Sequence, residues 1–215
     1  MREAQRIERI ADAAVHVAGI GLALISLPIL LTLAAVWDGS ASTMLALSVY
    51  AACVLATLGL SGAYNMIRAH RIRPILRRLD HASIYLKIAG TQTPFAVLAG
   101  GATSAWLLTG VWCAAATGAL AKIARSEGWE GLSIALYLVL GWAGVLLIPD
   151  MWADLSGVAF ILMLTGGALY SVGVIFHLWD SLPYQNAIWH GFVLAATFVF
   201  YSAVMVQVVQ AAAPG

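Results

Sequence analysis

This sequence predicts an all-α integral membrane protein: a single domain over residues 1–215 built as a seven-transmembrane helix bundle. Two observations predict it. Of 215 residues, 62% are hydrophobic and only 10% are charged, and the mean hydropathy is +0.90. So few charged side chains cannot cover a water-facing surface. The apolar residues also fall into seven runs, each close to the roughly 20 residues a helix needs to cross a hydrocarbon core about 30 Å thick. The runs lie at approximately 13–37, 42–66, 79–99, 102–122, 131–149, 155–177 and 187–209.

The first span follows a leader, MREAQRIERIADAAVHV, that carries charges of both signs. Its apolar stretch exceeds the roughly 7–15 residues of a signal-peptide core, so it is expected to stay as a span. The second span closes on Ser61 and Asn65, and the third opens on Asp80 and His81. Within the third, Thr93-Pro94 predicts a kink. The fifth and sixth carry Gly141, Gly144, Gly166 and Gly167, small residues that let helices approach closely. Connections are short, the longest running from Ile67 to Arg78, so chemistry must be built from helix ends.

Several functions are excluded on composition. A net charge of +1 gives no basic field for nucleic acid phosphates. Cys53 and Cys113 lack CxxC spacing and lie in apolar runs, which suits small buried hydrophobes better than a thiolate metal site. No internal repeat suggests a duplicated transporter.

The basic residues set an orientation. Arg2, Arg6, Arg9, Arg68, Arg71, Arg73, Arg77, Arg78, Lys122 and Arg125 fall on one side of alternating spans, against Asp38, Asp150 and Asp154 opposite. The positive-inside rule then puts the N-terminus in the cytoplasm and the C-terminus outside, in a multi-pass protein of the cell membrane. Trp37 and Trp152 on the outer side, with Trp129, Trp179 and Trp189 on the inner, suit interfacial belts.

That topology gathers polar groups near the cytoplasmic face: His16, Ser61, Asn65, Asp80, His81, His177, Asn186 and His190. Ser61 and Asn65 are spaced i,i+4, as are Asn186 and His190, so each pair shares a helix face. Lys87, the one basic residue inside a span, follows Asp80 by two turns on the same face. Ionisable groups in spans are costly enough to be functional candidates.

The motifs that carry these groups resemble the bacterial hemolysin III family, relatives of the progestin and adipoQ receptors and thus of the adiponectin receptors. They are Glu8-Arg9-Ile10-Ala11-Asp12-Ala13-Ala14-Val15-His16, Leu79-Asp80-His81-Ala82-Ser83-Ile84-Tyr85 continuing through Ile88 to Phe95, Gly166-Gly167-Ala168-Leu169-Tyr170-Ser171-Val172-Gly173, and Leu182 through Val193. The resemblance implies a cytoplasmic-side zinc site made by Ser-x-x-x-His ending span two, Asp opening span three and His-x-x-x-His opening span seven. Through the alkaline ceramidases of the wider superfamily, it also implies zinc-dependent hydrolysis of a lipid amide.

Two of those positions are altered. Ser61-Gly62-Ala63-Tyr64-Asn65 and Asn186-Ala187-Ile188-Trp189-His190 carry amides where the pattern has histidine. The metal ligands are then Asp80 and His190, short of the three that a catalytic zinc site keeps. The expectation is a variant in which an Asp80–Lys87 ion pair replaces the metal, with Asn65, Asn186 and His190 bonding around it and His16 in the same cavity. Such a protein would act as a membrane sensor, regulator or ion-handling protein, with an unknown small ligand and membrane lipid as partners and room for a homo-oligomer. The alternative is a zinc-dependent lipid or amide hydrolase using Ser61, Asp80 and His190. A pore-forming haemolysin fits worst, because a chain so largely composed of spans cannot travel as a soluble toxin. Reporter fusions test the orientation: a fusion at the N-terminus should be active only in the cytoplasm and one at the C-terminus only outside, and the reverse pattern would overturn it.

Overall fold

The computed structural model describes residues 2–124, 128–146 and 156–212. Seven helices and no strand occur among them: α1 Arg2–Trp37, α2 Ala41–Met66, α3 Arg73–Ala99, α4 Gly101–Ala124, α5 Glu130–Leu146, α6 Gly157–His177 and α7 Gln185–Ala212. Arg125, Asp150, Trp152 and Asp154, with the adjoining ends of the fifth and sixth spans, lie outside the described residues. Five helices, α1, α2, α4, α6 and α7, are long and apolar enough to cross a membrane.

Several helix ends extend beyond the apolar spans, while the C-terminal ends of α1, α2, α3 and α6 coincide with them. α1 begins at Arg2 rather than 13, and α3 at Arg73 rather than 79. The apolar count registers only the hydrocarbon crossing, whereas a helix continues its backbone hydrogen bonds into the headgroup layer, where charged side chains are solvated. The extension shortens the expected long connection to residues 67–72.

Consecutive helices pack as neighbours from α1 to α5, α5 meets α6, α6 packs along α7, and α7 returns to α1. α3 also touches α5 and α7, which places it inside this ring. Its burial fits that position. Ala82, Ser83, Tyr85, Lys87, Ala89, Gly90 and every residue from Gln92 to Ala96 are buried, far more than one face of a helix. α1, by contrast, buries a single stripe, Asp12, His16, Gly19, Ala23, Leu27, Leu30 and Ala34, at the three- and four-residue spacing of a one-sided helix. Its exposed Leu22, Leu24, Ile25 and Ile29 are in keeping with a lipid-facing surface.

α3 is the least apolar of the seven helices, yet it is the one most enclosed. Lipid cannot hydrogen-bond polar side chains, so neighbouring helices must do it. Thr57 of α2 donates to the Ser83 carbonyl at 3.0 Å, and Gln92 donates to the Leu140 carbonyl of α5 at 2.7 Å. Trp112 of α4 donates to Thr93 at 3.1 Å, and Tyr137 of α5 to the His81 carbonyl at 2.8 Å. Arg77 and Glu130 form an ion pair between the first turns of α3 and α5.

Close helix approach depends on glycines at specific contacts. A Cβ on Gly118 of α4 would lie 2.5 Å from the Tyr85 ring, whereas one on Gly110, two turns earlier, would meet nothing within 4 Å. Between α3 and α4, Gly100 and Gly101 take φ values of 68° and 78°, left-handed conformations open to glycine, and one helix passes almost directly into the next. Gly118→Ala should therefore destabilise the purified protein by about 1–3 kcal/mol through overpacking. Gly110→Ala should leave stability unchanged or raise it by up to about 1 kcal/mol through helix propensity. Thermal unfolding of both variants in detergent checks the contrast.

Candidate functional site

Four helices bring polar side chains together at one end of the bundle. α1 contributes Asp12 and His16, four residues apart on its buried stripe and 8% and 4% exposed. Ser61 comes from the last turns of α2, Asp80 (8% exposed) from the early turns of α3, and His190 from the second turn of α7. Gly62 packs against His16 and Ile20 of α1: a Cβ there would lie in ordinary contact with the imidazole at 3.6 Å and closer, at 3.3 Å, to Ile20.

Asp12 organises both histidines. His190 Nδ1 lies 2.6 Å from Asp12 Oδ1, and His16 Nδ1 lies 2.9 Å from the Asp12 carbonyl oxygen and 3.8 Å from its Oδ1. A carbonyl oxygen can only accept, so His16 Nδ1 carries the proton. In the neutral ring, Nε2 is then the acceptor, and it faces Ser61 Oγ at 3.3 Å. The two imidazoles meet edge to face with centroids 4.3 Å apart. The Asp80 carboxyl completes the group, with the Ser61 hydroxyl and His190 as its polar neighbours. A further contact ties α1 to the turn before α7: Glu8 accepts from the backbone N–H of Tyr184 at 3.3 Å, where Tyr184 holds the left-handed φ of 59°.

The residues singled out by sequence thus separate into two groups. Ser61, Asp80, His190 and His16 converge. Asn65 turns back to donate to the Ser61 carbonyl of its own helix at 2.9 Å, and Asn186 is exposed at the start of α7. The expected Asp80–Lys87 ion pair does not form. Lys87 donates instead to Thr197 of α7 at 2.8 Å and lies 4.9 Å from the centre of the Tyr170 ring. The reason is register: seven residues advance a helix by about 10.5 Å, and Thr197 follows His190 by the same seven residues. Lys87 therefore meets α7 two turns deeper than Asp80 does.

Asp12 is the site residue that sequence reasoning missed. Its signal is the i,i+4 spacing to His16 within the Glu8–His16 motif, which places both on one helix face. Asp12, His16 and His190 each offer one donor atom, all within 4.8 Å of one another, the one group of three metal-ligating side chains found among the described residues. Two imidazoles and a carboxylate are the donor set of several catalytic zinc sites, which leave a fourth position open. The residues present therefore fit such an ion.

Residues 5–201 match the family model described as haemolysin-III related. The chain belongs to this family. Hemolysin-3 of Bacillus cereus is 36% identical over 208 residues, covering 95% of this chain and 94% of the relative. The hemolysin-3 homolog of Bacillus subtilis (strain 168) is 36% identical over 201 residues, covering 92% and 93%. The human monocyte to macrophage differentiation factor is 29% identical over 127 residues, 58% of this chain and 52% of its own length, which supports the relation of hemolysin III proteins to the progestin and adipoQ receptors. This hemolysin III protein is a membrane protein, as its apolar helices and its family both show.

Losing the Asp12 carboxylate removes the acceptor that fixes His190. Asp12→Ala should destabilise the protein by about 1.5–3 kcal/mol, the usual cost of a hydrogen bond to a charged group. Asn65→Ala, which loses only a contact to its own helix, should cost well under that. Denaturant or thermal unfolding in detergent distinguishes the two.

Proposed function

We propose that this hemolysin III protein is a metal-dependent hydrolase of the zinc class, acting on the amide bond of a membrane lipid. The convergence of Asp12, His16 and His190 is the observation that carries this reading, since it supplies three metal-binding side chains and leaves Asp80 free for chemistry. The lipid amide as substrate rests on the resemblance to the ceramidase-containing superfamily. The site would face the cytoplasm, as the basic residues at that end of the bundle indicate.

In this reading the two carboxylates divide the work. Asp12, His16 and His190 hold the ion, which when bound supplies Lewis acidity and lowers the pKa of a coordinated water. Asp80, in a buried position beside Ser61, is the general base that takes a proton from the attacking water and returns it to the leaving amine. With the ion on His16 Nε2, Ser61 turns its hydroxyl to Asp80, since a neutral imidazole has a single lone-pair nitrogen. The apolar outer faces of the surrounding helices let an acyl chain remain in lipid while its headgroup linkage reaches the polar end.

A second reading, a ligand-responsive sensor or regulator without metal, is favoured by one observation. Asn65 and Asn186, which stand where the family pattern has histidine, lie away from the Asp12–His16–His190 group. Metal content separates the readings. Protein purified from zinc-supplemented cells, without chelator, should carry about one zinc per chain. Asp12→Ala, His16→Ala and His190→Ala should each deplete it, while Asp80→Asn retains the metal and loses hydrolysis of a fluorescent lipid amide. Wild-type protein without bound metal would sink the hydrolase and leave the sensor.

A further inference from the structure

A second charged cluster lies at the same end of the bundle as the Asp12 group, on the side formed by α3, α4 and α5. Lys122, in the last turn of α4, continues the buried stripe of Val111, Ala115 and Ala119 and is only 3% exposed. Lysines are almost never so buried unless paired. Among the described residues, however, its ammonium has no hydrogen bond and no ion pair: the ion pairs there join Asp12 to the two histidines and Arg77 to Glu130. Nor is it sealed off. Among the described residues, the enclosed side-chain atoms without a partner belong to Ser26, Tyr50, Gln92 and His177, so the tip of Lys122 reaches the surface.

The groups around it carry an excess of positive charge. Its electrostatic neighbours are Glu130 of α5 and Arg77 of α3, and His81 sits among the same three. Glu130 is already committed to Arg77. Arg78 donates to the Ile123 carbonyl, one residue beyond Lys122, at 3.3 Å, which holds a second guanidinium at the end of α4. Three cations thus stand against one carboxylate. The connection at residues 125–127 adds one basic and one acidic residue to the sequence and leaves that excess unchanged.

We propose that this cluster binds the phosphate of an anionic phospholipid, with Lys122 and Arg78 contacting it and the Arg77–Glu130 pair at its flank. Burial and charge choose an anion. An ammonium buried without a partner is costly, and a phosphate supplies both the missing charge and the acceptors that Lys122 and the remaining N–H groups of Arg78 lack. What borders the cluster makes that anion a lipid's. Leu120 and Ile123 of α4 are exposed, apolar surface on which acyl chains can lie. Trp129, next to Glu130, is exposed as well, an aromatic ring of the kind that sits at headgroup depth. A soluble phosphate would gain nothing from either. This site is independent of the proposed hydrolase chemistry.

The probe is dioleoyl phosphatidylglycerol added to the purified full chain in detergent. Its controls are dioleoyl phosphatidylcholine, whose phosphate carries a balancing cation, and inorganic phosphate at fixed ionic strength and pH. The melting temperature should rise saturably with phosphatidylglycerol and with neither control. Lys122→Met should weaken the apparent lipid affinity by about tenfold or more, as expected for losing a hydrogen bond to a charged group. Arg78→Gln should weaken it about fivefold, as for one basic side chain near an anionic lipid surface. Arg73→Gln should leave it unchanged, since that guanidinium lies over the Tyr64 ring instead. An equal shift with phosphatidylcholine, or one with inorganic phosphate that matches the lipid's, would overturn the proposal. So would an equal loss in Arg73→Gln and Lys122→Met, the sign of diffuse attraction to a basic surface. The lipid comparison uses the wild-type chain and so remains decisive if a variant fails to fold.

Discussion

The bond between Asp12 of α1 and His190 of α7 closes the ring of helices at the end where the polar groups gather. Deeper in the bundle the Tyr201 hydroxyl of α7 adds a bond to the Ser26 carbonyl of α1 at 3.0 Å; the remaining contacts are largely apolar and small, and lipid competes well with those because its tails are as apolar as leucine. A hydrogen-bonded carboxylate has no comparable partner in hydrocarbon. The 2.6 Å contact therefore fixes the register of α1 against α7, and with it the place of His16 beside Ser61; the packing of α2 on α3 sets Ser61 beside Asp80.

The same constraint accounts for α3. A helix carrying Asp80, Lys87, Gln92 and Thr93 cannot face lipid, so the other helices enclose it and supply donors and acceptors from α2, α4, α5 and α7. Enclosure of a polar helix creates two levels of buried polarity. The upper one, around Asp12, holds two carboxylates and two imidazoles. The lower one, around Lys87, holds one cation against the hydroxyl of Thr197 and the ring of Tyr170.

Much of this was legible in the sequence. The number and rough extent of the helices follow from apolar run length, and the clustering of Ser61, Asp80 and His190 at one end follows from alternating spans. What failed was depth. Asp80 and Lys87 share a face of α3, and a face-sharing argument pairs them, but only the partner helix shows that each meets α7 at its own level. Asp12 was hidden for a related reason: a charge in a mixed-sign leader looks solvated until another helix is seen to cover it. Asn65 and Asn186 misled in the opposite direction, because a family pattern places them in the site while local geometry turns one onto its own backbone and leaves the other exposed.

The central claim is that Asp12, His16 and His190 together form a metal site at the closed end of the ring. X-ray absorption at the zinc edge on the purified, zinc-loaded chain tests it most directly. The account predicts two imidazole nitrogens at about 2.0–2.1 Å and oxygen donors at about 2.0–2.2 Å, with one imidazole shell lost in His16→Ala. A spectrum unchanged in that variant, or dominated by sulfur, would contradict it.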